Sequence, residues 1–179
     1  MRNDIKEVLF SEEAINNKVK ELGERISEKY KDKQLLLVGV LKGSVLFTSD
    51  LMKNITIPCE VDFMAVSSYG NATESSGVVR ILKDLDYSIE GKDILIVEDI
   101  IDSGVTLDYL LRYFKGRGAN SVAIATLLNK PARRKVNIDV DYIGFEVPDE
   151  FIVGYGIDYA EKYRNLPFIG ALKREVYEK

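Results

Sequence analysis

Apolar positions along the 179-residue chain fall into two kinds of run that take turns. After Ser11, the residues Ile15, Val19, Leu22 and Ile26 recur at helical spacing and predict an amphipathic helix to about Tyr30. Ser11 is placed to cap it, and Glu12 and Glu13 complement its dipole. "QLLLVGV" (34–40) is instead an unbroken apolar run of strand length, the pattern of a strand covered on both faces. It leads through Lys42-Gly43-Ser44 into a second helical segment ending near Lys53. "EVDFMAVSSY" (60–69) is β-rich, and residues 70–86 open polar and Gly/Ser-rich, as an exposed loop returning through a short strand near Val78–Leu82. "DILIV" (93–97) is the next buried strand, followed by a helix with Leu107, Leu110, Leu111 and Phe114 on one face, stopped by Gly116 or Gly118. "SVAIATLL" (121–128), "DYIGFEV" and "FIVGYG" complete the β segments. Strands alternating with helices imply one α/β domain around a mostly parallel sheet, with ligands bound beyond the strands' carboxyl ends where strand order switches.

The chemistry is concentrated in "VEDIIDSGVTL" (97–107). An apolar strand ends in Glu98 and Asp99, and Asp102 then precedes Ser103-Gly104-Val105-Thr106 at the start of a helix. Free N–H groups and the positive end of the dipole suit that helix start to a phosphate; Gly104 permits the tight approach, and Ser103 and Thr106 add hydroxyls. The alternative is a plain cap, with Ser103 closing the helix and Asp102 answering its dipole. Three carboxylates beside a phosphate loop favour a ligand carrying both phosphate and hydroxyls, with a hard cation such as Mg²⁺ close by.

Composition narrows the field. With no histidine, any acid–base or metal chemistry rests on carboxylates, Lys, Tyr or Cys. The net charge of −4 argues against a general nucleic-acid binder, although "KPARRK" (130–135) is a small basic cluster. The lone cysteine, Cys59, allows no internal disulfide and fits a reducing cytoplasm, where a packed thiol is the expectation. No apolar run approaches a membrane span, and no signal-peptide core appears. The nucleotide-binding pattern G-x-x-x-x-G-K-[ST] is missing, and "GYGIDY" (154–159) fails the G-x-G-x-x-G pattern at Tyr159.

"VLIVEDIIDSGVTL"-type segments mark the PRPP (phosphoribosyl pyrophosphate) signature of type I phosphoribosyltransferases, which this chain resembles at "ILIVEDIIDSGVTL". "VGVLKGSVLF", "DFMAVSSYG" and "DYIGFEVPDEFIVGYGIDYAEKYRNLPFIG" are similar to the bacterial hypoxanthine-guanine branch of that family, over about residues 5 to 175. The resemblance implies a type I phosphoribosyltransferase fold: a core at about 34–140, a small hood built from the N-terminal segment and about 145–179, and a mobile lid at about 67–83. It implies Glu98 and Asp99 at the ribose hydroxyls and their Mg²⁺, and Asp102 as the acid or base near purine N7. Asp102, Ser103, Gly104, Val105 and Thr106 become the 5′-phosphate loop. Lys42, Gly43 and Arg164 become the pyrophosphate contacts, with a cis peptide between Leu41 and Lys42. Ser68 and Tyr69 fall in the lid, Phe151 stacks on the purine, Ile152 reads its edge through the backbone, and Asp158 holds a second Mg²⁺.

The implied partners are PRPP and 6-oxopurine bases, the implied cofactor Mg²⁺, and the implied assembly a homodimer or homotetramer, with no membrane and no nucleic acid. Family members commonly carry a lysine before the "DYIGFE" segment that donates to purine O6. Read without a gap, that position is Asp139; Lys130 or Lys135 from upstream, or backbone and water, are the other sources. Two rival readings remain, a PRPP-sensing RNA-binding regulator on the same scaffold and a transferase for another base such as xanthine.

Overall fold

Side chains of the central strands alternate between two apolar clusters. The protein is described here by a computed structural model covering residues 1–69 and 78–178, with the backbone alone at Ser68 and Tyr69. In β2 (Leu35–Leu41) and β5 (Asp93–Ile101), Leu35, Leu37, Leu95 and Val97 point into one cluster, and Leu36, Val38, Ile94 and Ile96 into the other. Helices α1 (Glu12–Lys29) and α2 (Val45–Lys53) close the first face through Ile15, Leu22, Phe47 and Leu51. Helix α3 (Val105–Gly116) closes the second through Leu107, Leu110 and Phe114. This two-sided covering is what a continuous apolar strand requires.

The local signals act as the sequence implies at several ends. Ser11 Oγ accepts the Ala14 N–H at 3.1 Å and caps α1. Gly118, at φ 83°, turns the chain out of α3, and Ala119 N–H returns to the Phe114 carbonyl.

The main sheet has the order β4-β3-β2-β5-β6-β7, with β3 at Cys59–Tyr69, β4 at Val78–Lys83, β6 at Ser121–Asn129 and β7 at Tyr142–Glu146. All its pairings are parallel except β3 with β4. The expected core at 34–140 therefore extends through β7. Most of the segment expected as a lid at 67–83 is a strand pair, Ser67 against Arg80 and Tyr69 against Val78, and the remainder of that expectation, 70–77, lies outside the described residues.

A second, three-stranded sheet has the order β1-β9-β8, from β1 (Ile5–Phe10), β8 (Ile152–Val153) and β9 (Ile169–Leu172), followed by the short helix α4 (Arg174–Tyr177). Its own cluster includes Val153, Tyr163, Leu166, Phe168 and Leu172. The Tyr155 hydroxyl donates to Asp50 of α2 at 2.6 Å and ties the turn after β8 to the main sheet's helices. Among the described residues no helix is long and apolar enough to cross a membrane.

Candidate active site

Strand order switches between β2 and β5: from β2 the chain builds outward to β3, and from β5 it builds the other way to β6 and β7. Their carboxyl ends therefore lie side by side, Gly39 opposite Val97, with a crevice between diverging connections. β2 delivers Leu41 and Lys42, joined by a cis peptide bond, and then Gly43. The buried Ser44 hydroxyl donates back to the Val40 carbonyl at 2.7 Å and holds this turn. β5 delivers the acids. It runs to Ile101, so Glu98 and Asp99 belong to the strand, and the loop proper is Asp102-Ser103-Gly104.

Gly104 is the N-cap of α3 at φ 81°, a conformation that favours glycine. No side chain caps the helix end; Ser103 Oγ accepts only the Val105 N–H, at 3.3 Å. Ser103 therefore takes the first N–H of α3, and Asp108 N–H bonds the Gly104 carbonyl, which leaves the N–H groups of Thr106 and Leu107 as the first-turn donors that an anion could meet. Residues after β6 fold over this loop. Lys135 N–H donates to Ser103 O at 2.9 Å, and Arg134 Nε donates to Asp102 O at 3.2 Å while its Nη2 donates to Asn129 Oδ1.

Glu98 and Asp99 sit together with few counter-charges. Burial, then the Asp99 charge, push Glu98 well above the usual carboxylate range; burial also raises Asp99, against the pull of its hydrogen bonds and of Arg164. Gly43 packs on this pair so closely that a Cβ there would fall 1.8 Å from Asp99 Oδ2. Gly156, at φ 97°, packs equally tightly on the Gly43 carbonyl. Its carbonyl accepts from Arg164 Nη1 at 2.8 Å, and its N–H donates to Arg164 O. Arg164 thereby lies beside Asp99, paired with Asp158 at 3.1 Å and Glu161 at 3.4 Å. Glu161 also meets Lys42 Nζ at 3.2 Å, so one exposed carboxylate lies between the two cations expected to take a pyrophosphate. Gly43→Ala is expected to displace Asp99 and lower kcat/KM for PRPP by about 10²-fold, with the base KM nearly unchanged in steady-state kinetics.

A cavity of about 590 Å³ opens beside the Asp102-Ser103-Gly104 loop, lined among others by Ile100, Asp102, Lys130, Phe151, Ile152 and Tyr177. A smaller one of about 230 Å³ adjoins it and is lined by Glu98, Asp102, Ser103, Gly104 and Thr106. The two share Ile100, Asp102 and Ser103, so Asp102 stands on the wall between a space at the start of α3 and a larger one of mixed lining, where Ile100, Phe151, Ile152 and Ile157 meet several charged residues. Lys130 follows β6 directly and is only 8% exposed. Its ammonium donates to the Glu150 carbonyl at 2.9 Å and lies 3.6 Å from Asp102 Oδ1. Asp139, by contrast, is exposed and lines neither cavity. Residues 130–141 run outside the main sheet between β6 and β7, and Asn129 pairs with Glu146. Lys130 is the cavity's buried lysine.

The Phosphoribosyl transferase domain model matches residues 7–160. A hypoxanthine-guanine phosphoribosyltransferase of Bacillus subtilis (strain 168) is 60% identical over 178 residues, spanning 99% of each chain. The chain belongs to the hypoxanthine-guanine phosphoribosyltransferase family. A relative of the same name from Streptococcus agalactiae serotype V is 58% identical over 179 residues, spanning 100% of this chain and 99% of that one. A hypoxanthine phosphoribosyltransferase from Staphylococcus aureus superposes with a TM-score of 0.98 at 54% identity, covering 100% and 97% of the two chains.

In this member of the phosphoribosyltransferases, the sequence-derived residues form two groups. Asp102, Ser103, Gly104, Thr106, Glu98, Phe151 and Ile152 line the adjoining cavities, and Val105 opens α3 without lining either. Lys42, Gly43, Asp99, Asp158 and Arg164 are linked through the close contacts above. The side chains of Ser68 and Tyr69 lie outside the described residues. Among the described residues no three acids converge as a metal cage. Mg²⁺ usually takes one or two carboxylates together with substrate phosphates and water, and the crowded Glu98–Asp99 pair offers such a donor set. The sequence reading passed over Ile100, Arg134, Glu161 and Tyr177; Arg134 reaches Asp102, Glu161 reaches Lys42 and Tyr177 stacks on Phe151, all contacts between residues far apart along the chain.

Proposed function

We propose that this protein transfers the 5-phosphoribosyl group of PRPP to N9 of hypoxanthine or guanine, releasing pyrophosphate and the nucleoside 5′-monophosphate, a purine-salvage reaction. The observation that supports the reading is the shared wall at Asp102: the start of α3 on one side, and on the other a cavity where apolar residues and a buried lysine meet. A 6-oxopurine fits such a slot. Ile100 and Phe151 supply its apolar faces, Ile152 its backbone edge, and Lys130 a charged donor for O6.

The C1′–O bond to pyrophosphate breaks, the N9–C1′ bond forms with inversion, and the base gives up one proton. Asp102 would take that proton near N7, with the Lys130 ammonium 3.6 Å from its Oδ1. Positive charge develops on the ribose beside Glu98 and Asp99, while Lys42 and Arg164 receive the negative pyrophosphate. Glu98 and Asp99, with Asp158 for a second ion, would hold Mg²⁺, which supplies charge neutralisation of the pyrophosphate. Ser68 and Tyr69 belong to the segment that closes over the centre and excludes water. PRPP and 6-oxopurines are the partners, and a homodimer or homotetramer in the cytoplasm is the proposed setting.

The test is chromatographic detection of IMP and GMP from PRPP with hypoxanthine or guanine. Product is expected with Mg²⁺ and its loss on chelation, restored by added Mg²⁺; no product with folded protein and bound PRPP would overturn the proposal. The RNA-binding reading is not favoured by the basic cluster. Lys130 is buried, Arg133 pairs with Asp149 at 2.7 Å, and Arg134 is spent on Asp102 and Asn129.

A further inference from the structure

We infer that Tyr177 is a positioning residue for base recognition, acting through Phe151; this rests on the base-binding reading above. Phe151 is held firmly by its backbone but not by core packing. Its carbonyl accepts the Leu172 N–H at 2.8 Å from the end of β9, yet its side chain sits at the cavity wall with the residue 37% exposed. A large ring left at a cavity wall keeps rotamer freedom, and a base stacking on it must first order it.

Two tyrosines remove that freedom. Tyr177 stacks on the Phe151 ring with centroids 4.8 Å apart and planes 28° apart. Tyr159 meets the same ring edge-on at 5.2 Å and 85°. With one face and one edge engaged, the exposed part of Phe151 is left to the cavity, which it lines together with Ile100. The base would then complete a stack of base, Phe151 and Tyr177.

Tyr177 can act as a fixed backing because it is itself anchored. It packs with Val176 and Tyr159 against the cluster of Val153, Tyr163, Leu166, Phe168 and Leu172. The turn before it is tied down by the Lys173 N–H donating to Asp4 O at 2.9 Å and by the Glu178 N–H donating to Arg174 O at 2.8 Å. Its hydroxyl makes no hydrogen bond among the described residues, so the ring rather than the phenol carries the role. Arg174 and Glu178, on the same short segment, also line the cavity, which places α4 at the base's edge.

The experiment compares wild type with Tyr177→Ala, Tyr177→Leu and Tyr177→Phe, measuring KM for hypoxanthine, KM for PRPP, kcat and Tm. Aromatic pairing of this kind corresponds to a change of roughly 3- to 10-fold in the base KM. Tyr177→Ala and Tyr177→Leu are expected to raise the hypoxanthine KM by that factor, with the PRPP KM and kcat within about twofold, and Tyr177→Phe to restore it. Tyr177→Leu keeps apolar packing on the cluster without a ring, so it separates stacking from fold stability. An unchanged hypoxanthine KM in the Leu variant would overturn the proposal, as would a fall, which would mean that Tyr177 competes for the base's own place. Inactivity of the wild type with every 6-oxopurine would instead overturn the functional reading beneath it.

Discussion

Asp102→Asn is expected to lower kcat by about 10²- to 10⁴-fold while PRPP binding stays within a few-fold of wild type. The two side chains are nearly the same shape, so the backbone that forms the phosphate site should persist. That backbone is held independently of the carboxylate: Arg134 donates to the Asp102 carbonyl, and Lys135 and Val136 N–H both reach Ser103 O. Asparagine removes the proton acceptor alone. The carboxylate is 57% exposed and its ion pair with Lys130 spans 3.6 Å, so the melting temperature should barely move. Single-turnover kinetics with a separate PRPP titration checks both halves. Turnover at the wild-type rate would remove Asp102 from the proton transfer.

Lys130→Met should act on the base instead. Methionine preserves the apolar stem and much of the volume but leaves no ammonium, so the slot keeps its shape and loses its charged donor. A hydrogen bond from a charged group contributes about 1.5–3 kcal/mol, which corresponds to roughly a 10- to 100-fold loss in kcat/KM for hypoxanthine or guanine. The PRPP KM should stay close to wild type, because Lys130 faces the Glu150 carbonyl and Asp102 rather than the phosphate turn at Gly104. Some stability should also go, since the Glu150 carbonyl loses a partner. A variant that melts lower yet keeps wild-type base kinetics would make Lys130 a structural lysine only.

The two variants probe residues that differed greatly in how readily the chain revealed them. Asp102 stands in a contiguous motif, where strand end, loop and helix start lie within eleven residues and local chemistry suffices. The same holds for Ser11 as a cap and for the strands whose apolar runs are continuous. Lys130 reads as one cation in a basic cluster, because its destination is set by Glu150 twenty residues on and by the excursion between β6 and β7. Counting back from "DYIGF" reaches Asp139, which is exposed and lines neither cavity, whereas Lys130 is buried in the cavity wall.

The second sheet was hard to see for a related reason. β1 has three successive exposed residues and two register shifts against β9, so it shows no period-two pattern, and β8 and β9 are two and four residues long. Short strands of that sort are specified by their pairing partners, and β1 and β9 come from opposite ends of the chain. Tyr177 belongs to the same class: a lone tyrosine in "KREVYE" has no local signature, and only its stacking on Phe151 gives it a role.

The most direct test of the whole account is pyrophosphate release from PRPP and Mg²⁺ with adenine, hypoxanthine, guanine, xanthine, orotate and uracil supplied one at a time. The proposed donation from Lys130 to O6 predicts turnover with hypoxanthine and guanine and none with adenine. Equal turnover with adenine, whose amino group at that position cannot accept from Lys130, would contradict it.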